Sequence, residues 1–118
     1  MKKIKILISS RPKLLSEVIL DLIEHQLDMT VVGEVIDPIE LLIAVRATKV
    51  DSVIITPLKA NGEPRICHKL LEEHPQLKIV TISAKGDAAF LFQADGPRQR
   101  IDDPSGLSIL HAIRTALP

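Results

Sequence analysis

The sequence predicts an α/β domain, a three-layer sandwich around a mostly parallel five-stranded sheet. Short β-branched runs such as Ile4–Ile8 and Val53–Ile55 alternate with stretches of helical periodicity. Short loops separate them, punctuated by Pro or Asn-Gly. That alternation is what a parallel sheet covered on both faces produces.

The elements follow in order. Ile4, Ile6, Leu7 and Ile8 form a buried first strand ending at Ser9-Ser10. Pro12 opens a helix over about residues 12–27, with Leu14, Leu15, Val18, Ile19, Leu22 and Ile23 on its apolar face. Thr30–Val35 is the second strand. Asp37-Pro38-Ile39-Glu40 has the form of a capping box and starts a helix to about Thr48 that buries Leu41, Leu42 and Val45. Ser52–Ile55 is the third strand, covered on both faces. Pro64 starts a third helix that ends before Pro75 and turns Ile66, Leu70 and Leu71 inward, and Lys78–Ile82 is the fourth strand. Asp103-Pro104 opens a last helix with Leu107, Leu110, Ala112, Ile113 and Leu117 available for burial.

Residues 83–106 are less regular. Only Ala84-Lys85-Gly86-Asp87 separates Ser83 from the apolar run Ala88–Gln93. A parallel neighbour needs a crossover of about a dozen residues, so a strand at 88–93 beside strand four has to be antiparallel, as a hairpin. The competing reading makes 87–95 a two-turn helix and Arg98–Asp102 the fifth strand, although Ile101 is that strand's one apolar residue. In the hairpin reading Asp95–Asp103 is a loop or edge segment.

Composition narrows the function. The chain has 118 residues, enough for one domain with a single core. Fifteen basic residues balance fifteen acidic ones, and there are two Phe with no Tyr or Trp. Direct nucleic-acid binding, which draws on basic excess and aromatic stacking, is not expected. Lone Cys67 fits a reducing cytoplasm. No apolar run approaches the ~18 residues of a membrane span, and no apolar segment behind Met1-Lys2-Lys3 suggests a signal peptide.

In open α/β sheets, functional groups gather at the carboxyl ends of the strands, which picks out Ser9, Ser10, Thr56 and Ser83. Other patterns are weaker. Cys67 and His68 are adjacent, about 100° apart on a helix, so with His74 they make a poor metal set. His25 and His111 have no partner pattern, and no glycine-rich phosphate loop or acid/base pair invites an enzymatic reading.

The stretches Val31-Val32-Gly33-Glu34, Val50–Ile55 and Leu70–Val80, in this order and spacing, resemble the receiver domains of bacterial two-component response regulators. The resemblance is nearest to those that precede LuxR-like DNA-binding domains. It covers residues 3–83 well and 107–117 moderately, and implies a flavodoxin-like (CheY-like) fold over a single domain, 1–118, atypical at 83–106. It also implies an active site: an acidic pair after strand one, a phosphoacceptor aspartate after strand three, a hydroxyl after strand four and a lysine after strand five.

Here the acidic pair matches Ser9-Ser10, the aspartate matches Thr56, the hydroxyl is kept as Ser83, and the lysine has no lysine counterpart. A threonine cannot form an acyl phosphate. Magnesium prefers one or two carboxylates with phosphate oxygens, whereas these four residues offer neutral hydroxyls. The expected function is therefore that of a degenerate receiver: no enzyme, cofactor or metal, acting by contact with a protein partner or a second copy.

By the same resemblance the output face, made from helix four, strand five and helix five, is rebuilt and the fourth helix is lost. Phe90, Phe92, Arg98 and Arg100 are its candidate contact residues. A DNA-binding domain following in a longer chain fits this picture. The alternative is a small-ligand or anion sensor that uses the hydroxyl-lined pocket.

Overall fold

The computed structural model describes residues 3–9, 13–36, 38–56, 65–83, 88–94, 99–101 and 105–115. The expected starts at Pro12 and Pro64, the Asp37 cap, Ser10, Arg98 and Leu117 lie outside these residues.

The elements are β1 (Ile4–Ser9), α1 (Lys13–Glu24), β2 (Met29–Glu34), α2 (Pro38–Ala47), β3 (Ser52–Ile55), α3 (Arg65–Glu73), β4 (Lys78–Ile82), β5 (Ala89–Phe92), β6 (Gln99–Arg100) and α4 (Gly106–Thr115). They build one sheet in the order β2-β1-β3-β4-β5-β6. The first four strands in that order are parallel, and β5 and β6 are each antiparallel to the strand before.

The period-two alternation of the strands sorts their side chains into two cores. Ile6, Ile8, Ile54, Val80, Ile82, Ala89 and Leu91 face Ile19 and Ile23 of α1 and Ile109, Leu110 and Ile113 of α4. Leu7, Val53, Ile55, Ile79 and Phe92 face Leu41 and Val45 of α2 and Cys67 and Leu70 of α3. Two helices on each face of one sheet make the expected three-layer sandwich.

Within 88–93, Ala89–Phe92 form a strand in the hairpin arrangement: Ile79 pairs with Phe92 and Ile82 with Ala89. No helix lies between β4 and β5 among the described residues. The sheet has six strands rather than five, because Gln99–Arg100 pairs along the free edge of β5, opposite Leu91 and Phe90. Both β6 side chains are exposed, so hydrogen bonding alone defines this strand.

The last helix begins at Gly106, later than Asp103-Pro104 implies. Ser105 is its cap: its Oγ accepts the Ser108 amide at 3.2 Å, and Ser108 Oγ accepts the Ser105 amide at 2.7 Å. This reciprocal pair is a capping box with serine in place of the usual Glu or Gln. With that start Leu107 is 81% exposed, not buried. Val18 of α1 is likewise turned outward, at 58% exposure. In β2 the pairing with β1 jumps from Val31 to Gly33, so Val32 is an extra, bulged residue at the sheet edge. A Cβ on Gly33 would stand 3.1 Å from Leu7 Cδ1, so a side chain there would press on Leu7.

Candidate functional site at the carboxyl edge of the sheet

Because β1, β3 and β4 are parallel neighbours, their carboxyl ends meet at one edge. Ser9 pairs with Ile55, and Ile55 with Thr81. Thr56 therefore follows β3 and Ser83 follows β4 on adjacent strands, with Ser9 closing β1. The Thr56 amide donates to the Ser9 carbonyl at 3.0 Å, extending the ladder by one rung beyond β3. All three residues are half-buried. The structure thus brings Ser9, Thr56 and Ser83 to one edge.

Ser83 has a second role in the backbone. Its amide donates to the Ala88 carbonyl at 2.9 Å, and its Oγ accepts the Ala88 amide at 3.1 Å. The hydroxyl is part of the device that closes the β4–β5 hairpin.

Strand direction decides what else can reach this edge. β5 runs from Ala89, beside Ile82, to Phe92, beside Ile79. Its carboxyl end therefore emerges at the opposite edge, with four strand residues intervening. At roughly 3.4 Å per residue that is more than 10 Å. A lysine placed after such a strand would not stand at the site. β6 returns in the direction of β4, so Arg100 and Ile101 climb toward the carboxyl edge on the far side of β5, where the Ile101 amide donates to the Ala89 carbonyl at 2.9 Å. Arg100 is exposed.

Glu34, which sequence reasoning did not single out, ends β2 beside Ile8 and carries an exposed carboxylate at this edge. With β1 between β2 and β3, two inter-strand spacings, roughly 10 Å, separate it from the Thr56 strand. Its position at the carboxyl end of a strand was the signal that could have marked it.

The expected contact residues are dispersed. Phe92 is 4% exposed and belongs to the core, because its side chain joins the cluster with Ile79, Cys67 and Leu70 on the α2/α3 face; it is not a surface residue. Phe90 is half-buried opposite Arg100. Cys67 is buried while His68 is exposed, so they do not share a site. Among the described residues no three His, Cys, Asp or Glu side chains gather as metal ligands, and no helix is long and apolar enough to cross a membrane.

No protein-family model matches the sequence, and no curated protein matches it. Solved structures do. The signal receiver domain of the response regulator NarL from Mycobacterium tuberculosis superposes with a TM-score of 0.62 at 14% identity, over 99% of this chain and 80% of that one. The response regulator domain of Thermotoga maritima CheB gives 0.61 at 17%, over 98% and 75%. At these identities the likeness concerns the fold, and the fold is that of a response-regulator receiver domain.

Proposed function

We propose that the chain is a receiver-like module of two-component or transcriptional signalling that acts by protein contact and takes up no phosphoryl group at Thr56. The observation that carries this reading is the reversal of β5. It removes from the carboxyl edge the position a charge-balancing lysine would take, while Ser9, Thr56 and Ser83 bring neutral hydroxyls there. A transferring phosphoryl group needs positive charge, from a metal or a side chain, to balance its own. The receiver fold with this altered edge fits a scaffold kept for binding a protein partner or a second copy, in the cytoplasm and without catalysis. Direct nucleic-acid contact is no part of the proposal; a DNA-binding domain in a longer chain would supply it.

The anion-sensor alternative at this same edge has less support, because the Ser83 hydroxyl is engaged by the Ala88 amide. The test is incubation with a small phosphodonor and magnesium, followed by intact mass. The unmodified mass is expected. A stoichiometric gain of one phosphoryl group would overturn the reading. Light scattering at two concentrations addresses self-association, and a mass that rises with concentration identifies the second copy as the partner.

A further inference from the structure

Helix α2 presents apolar side chains on every side. Leu41 and Val45 are buried in the α2/α3 core, and Leu42 and Ala44 are half-buried on its flanks. Ile39 and Ile43, one turn apart on the outer side, are 67% and 57% exposed, and Ile36 just before the helix is 65% exposed. A surface helix ordinarily turns polar residues outward, and an exposed apolar stripe marks a side that another surface covers. Among the described side chains, no other helix exposes more than one large apolar residue.

The charges along this stripe have a direction. Glu40 is exposed at the amino-terminal end and has no ion-pair partner among the described residues. Arg46 is exposed at the carboxyl-terminal end, where two of its five N–H donors bond Glu73 at 2.7 and 2.8 Å and leave others to donate. The Lys69 ammonium lies 3.5 Å from the same carboxylate, and Glu72 is turned about 100° from Glu73 around α3. A second copy laid antiparallel across Ile43 sets the Glu40 end of each α2 beside the Arg46 end of the other. It also brings Ile39 level with the copy's Ala47, which is exposed and small enough for close approach. A parallel pair would set like charges together. The bulge at Val32 blunts the neighbouring free edge of β2, so the copy adds as a helix rather than as a strand.

We propose that α2 is a self-association surface, on which two copies pack antiparallel through Ile36, Ile39 and Ile43 with Glu40 of each beside the Arg46 end of the other. This rests on the protein-contact reading above and names the second copy as the partner. The helix has ten residues and is about 15 Å long, short of what a standard interface of ~800 Å² per partner needs. The pair is therefore weak, with a dissociation constant on the order of 100 µM.

The experiment is sedimentation velocity of the full chain from about 10 µM to about 1 mM, with amide NMR over the same dilution. A mass rising from monomer toward dimer is expected, with concentration-dependent shifts centred on Ile39, Glu40, Ile43 and Arg46. Ile39→Gln/Ile43→Gln, altered only at exposed side chains, should weaken association about tenfold or more. Glu40→Lys should weaken it about fivefold, because a lysine then meets the copy's Arg46. A mixture of Glu40→Lys with Arg46→Glu pairs opposite charges at both ends and should associate more tightly than either variant alone. Val18→Gln, equally exposed but on α1, should associate as the parent does. A monomer at every concentration overturns the proposal and leaves the phosphodonor test of the wider reading untouched. Shifts centred on Phe90 and Arg100 or on Val18 and Leu107, or an unweakened Glu40→Lys, overturn it as well.

Discussion

Replacing Ser83 with alanine removes one of the two hydrogen bonds described between Ser83 and Ala88 and leaves the other. The lost bond is Ala88 N–H to Ser83 Oγ at 3.1 Å; the bond from the Ser83 amide to the Ala88 carbonyl, at 2.9 Å, uses backbone atoms only and survives. A single net hydrogen bond contributes about 1 kcal/mol. For 118 residues the entropy of unfolding near the midpoint is about 0.25 kcal/mol/K, so the melting temperature should fall by about 4 °C. Calorimetry reads that shift, and amide hydrogen exchange locates it. Protection at Ala88 should drop about fivefold while Val53, Ile54 and Val80 lose no more than the global change. Ser83→Thr, which keeps the hydroxyl, should restore most of both. Unchanged exchange at Ala88 in Ser83→Ala would refute the role given to this hydroxyl.

Three further outcomes are expected. Ile54, fully buried between β1 and β4 on the α1/α4 face, should cost about 2–5 kcal/mol when cut to alanine, seen as a lower urea midpoint at unchanged slope; a loss under about 1 kcal/mol would contradict the packing described. Ser105→Ala should cost about 1 kcal/mol and speed exchange at the first amides of α4, and an unaffected Ser108 amide would remove Ser105 as the cap. The third concerns acid. Hydrogen bonding to the Arg46 guanidinium is the main cause that lowers the Glu73 carboxyl from 4.5 to about 2. A lowered carboxyl stabilises the fold above its unfolded value, and that contribution is lost as pH falls from about 4.5 toward about 2. Denaturation curves across that window should show a shallower decline in Arg46→Gln than in the parent; identical slopes would refute the pairing.

The parallel half of the sheet was legible because its strands are covered on both faces. Ser52–Ile55 and Lys78–Ile82 are expected and observed with the same bounds. The direction of β5 was legible once 88–93 is read as a strand rather than a two-turn helix, since the connection is too short for a parallel crossover. β6 was not, because two exposed polar residues carry no hydrophobic signal. Leu107 was misplaced because Asp103-Pro104 set the helix phase, whereas the paired serines at 105 and 108 set the actual start. Of the candidate site, Ser9, Thr56 and Ser83 followed from the strand-end rule.

The change of strand direction also divides the sheet by the loops its pairing must close. β1 and β3 meet through residues such as Lys5 and Asp51, 46 positions apart, with two helices and a strand formed between them. β4, β5 and β6 are consecutive and each pairs with the next, so the stretch from Lys78 to Ile101 closes only short loops. Loop entropy rises with length, and local pairings form faster than distant ones. The meander is therefore the part of the sheet that can pair first, offering the free edge of β4 as a preformed rail on which β3, and then β1, align.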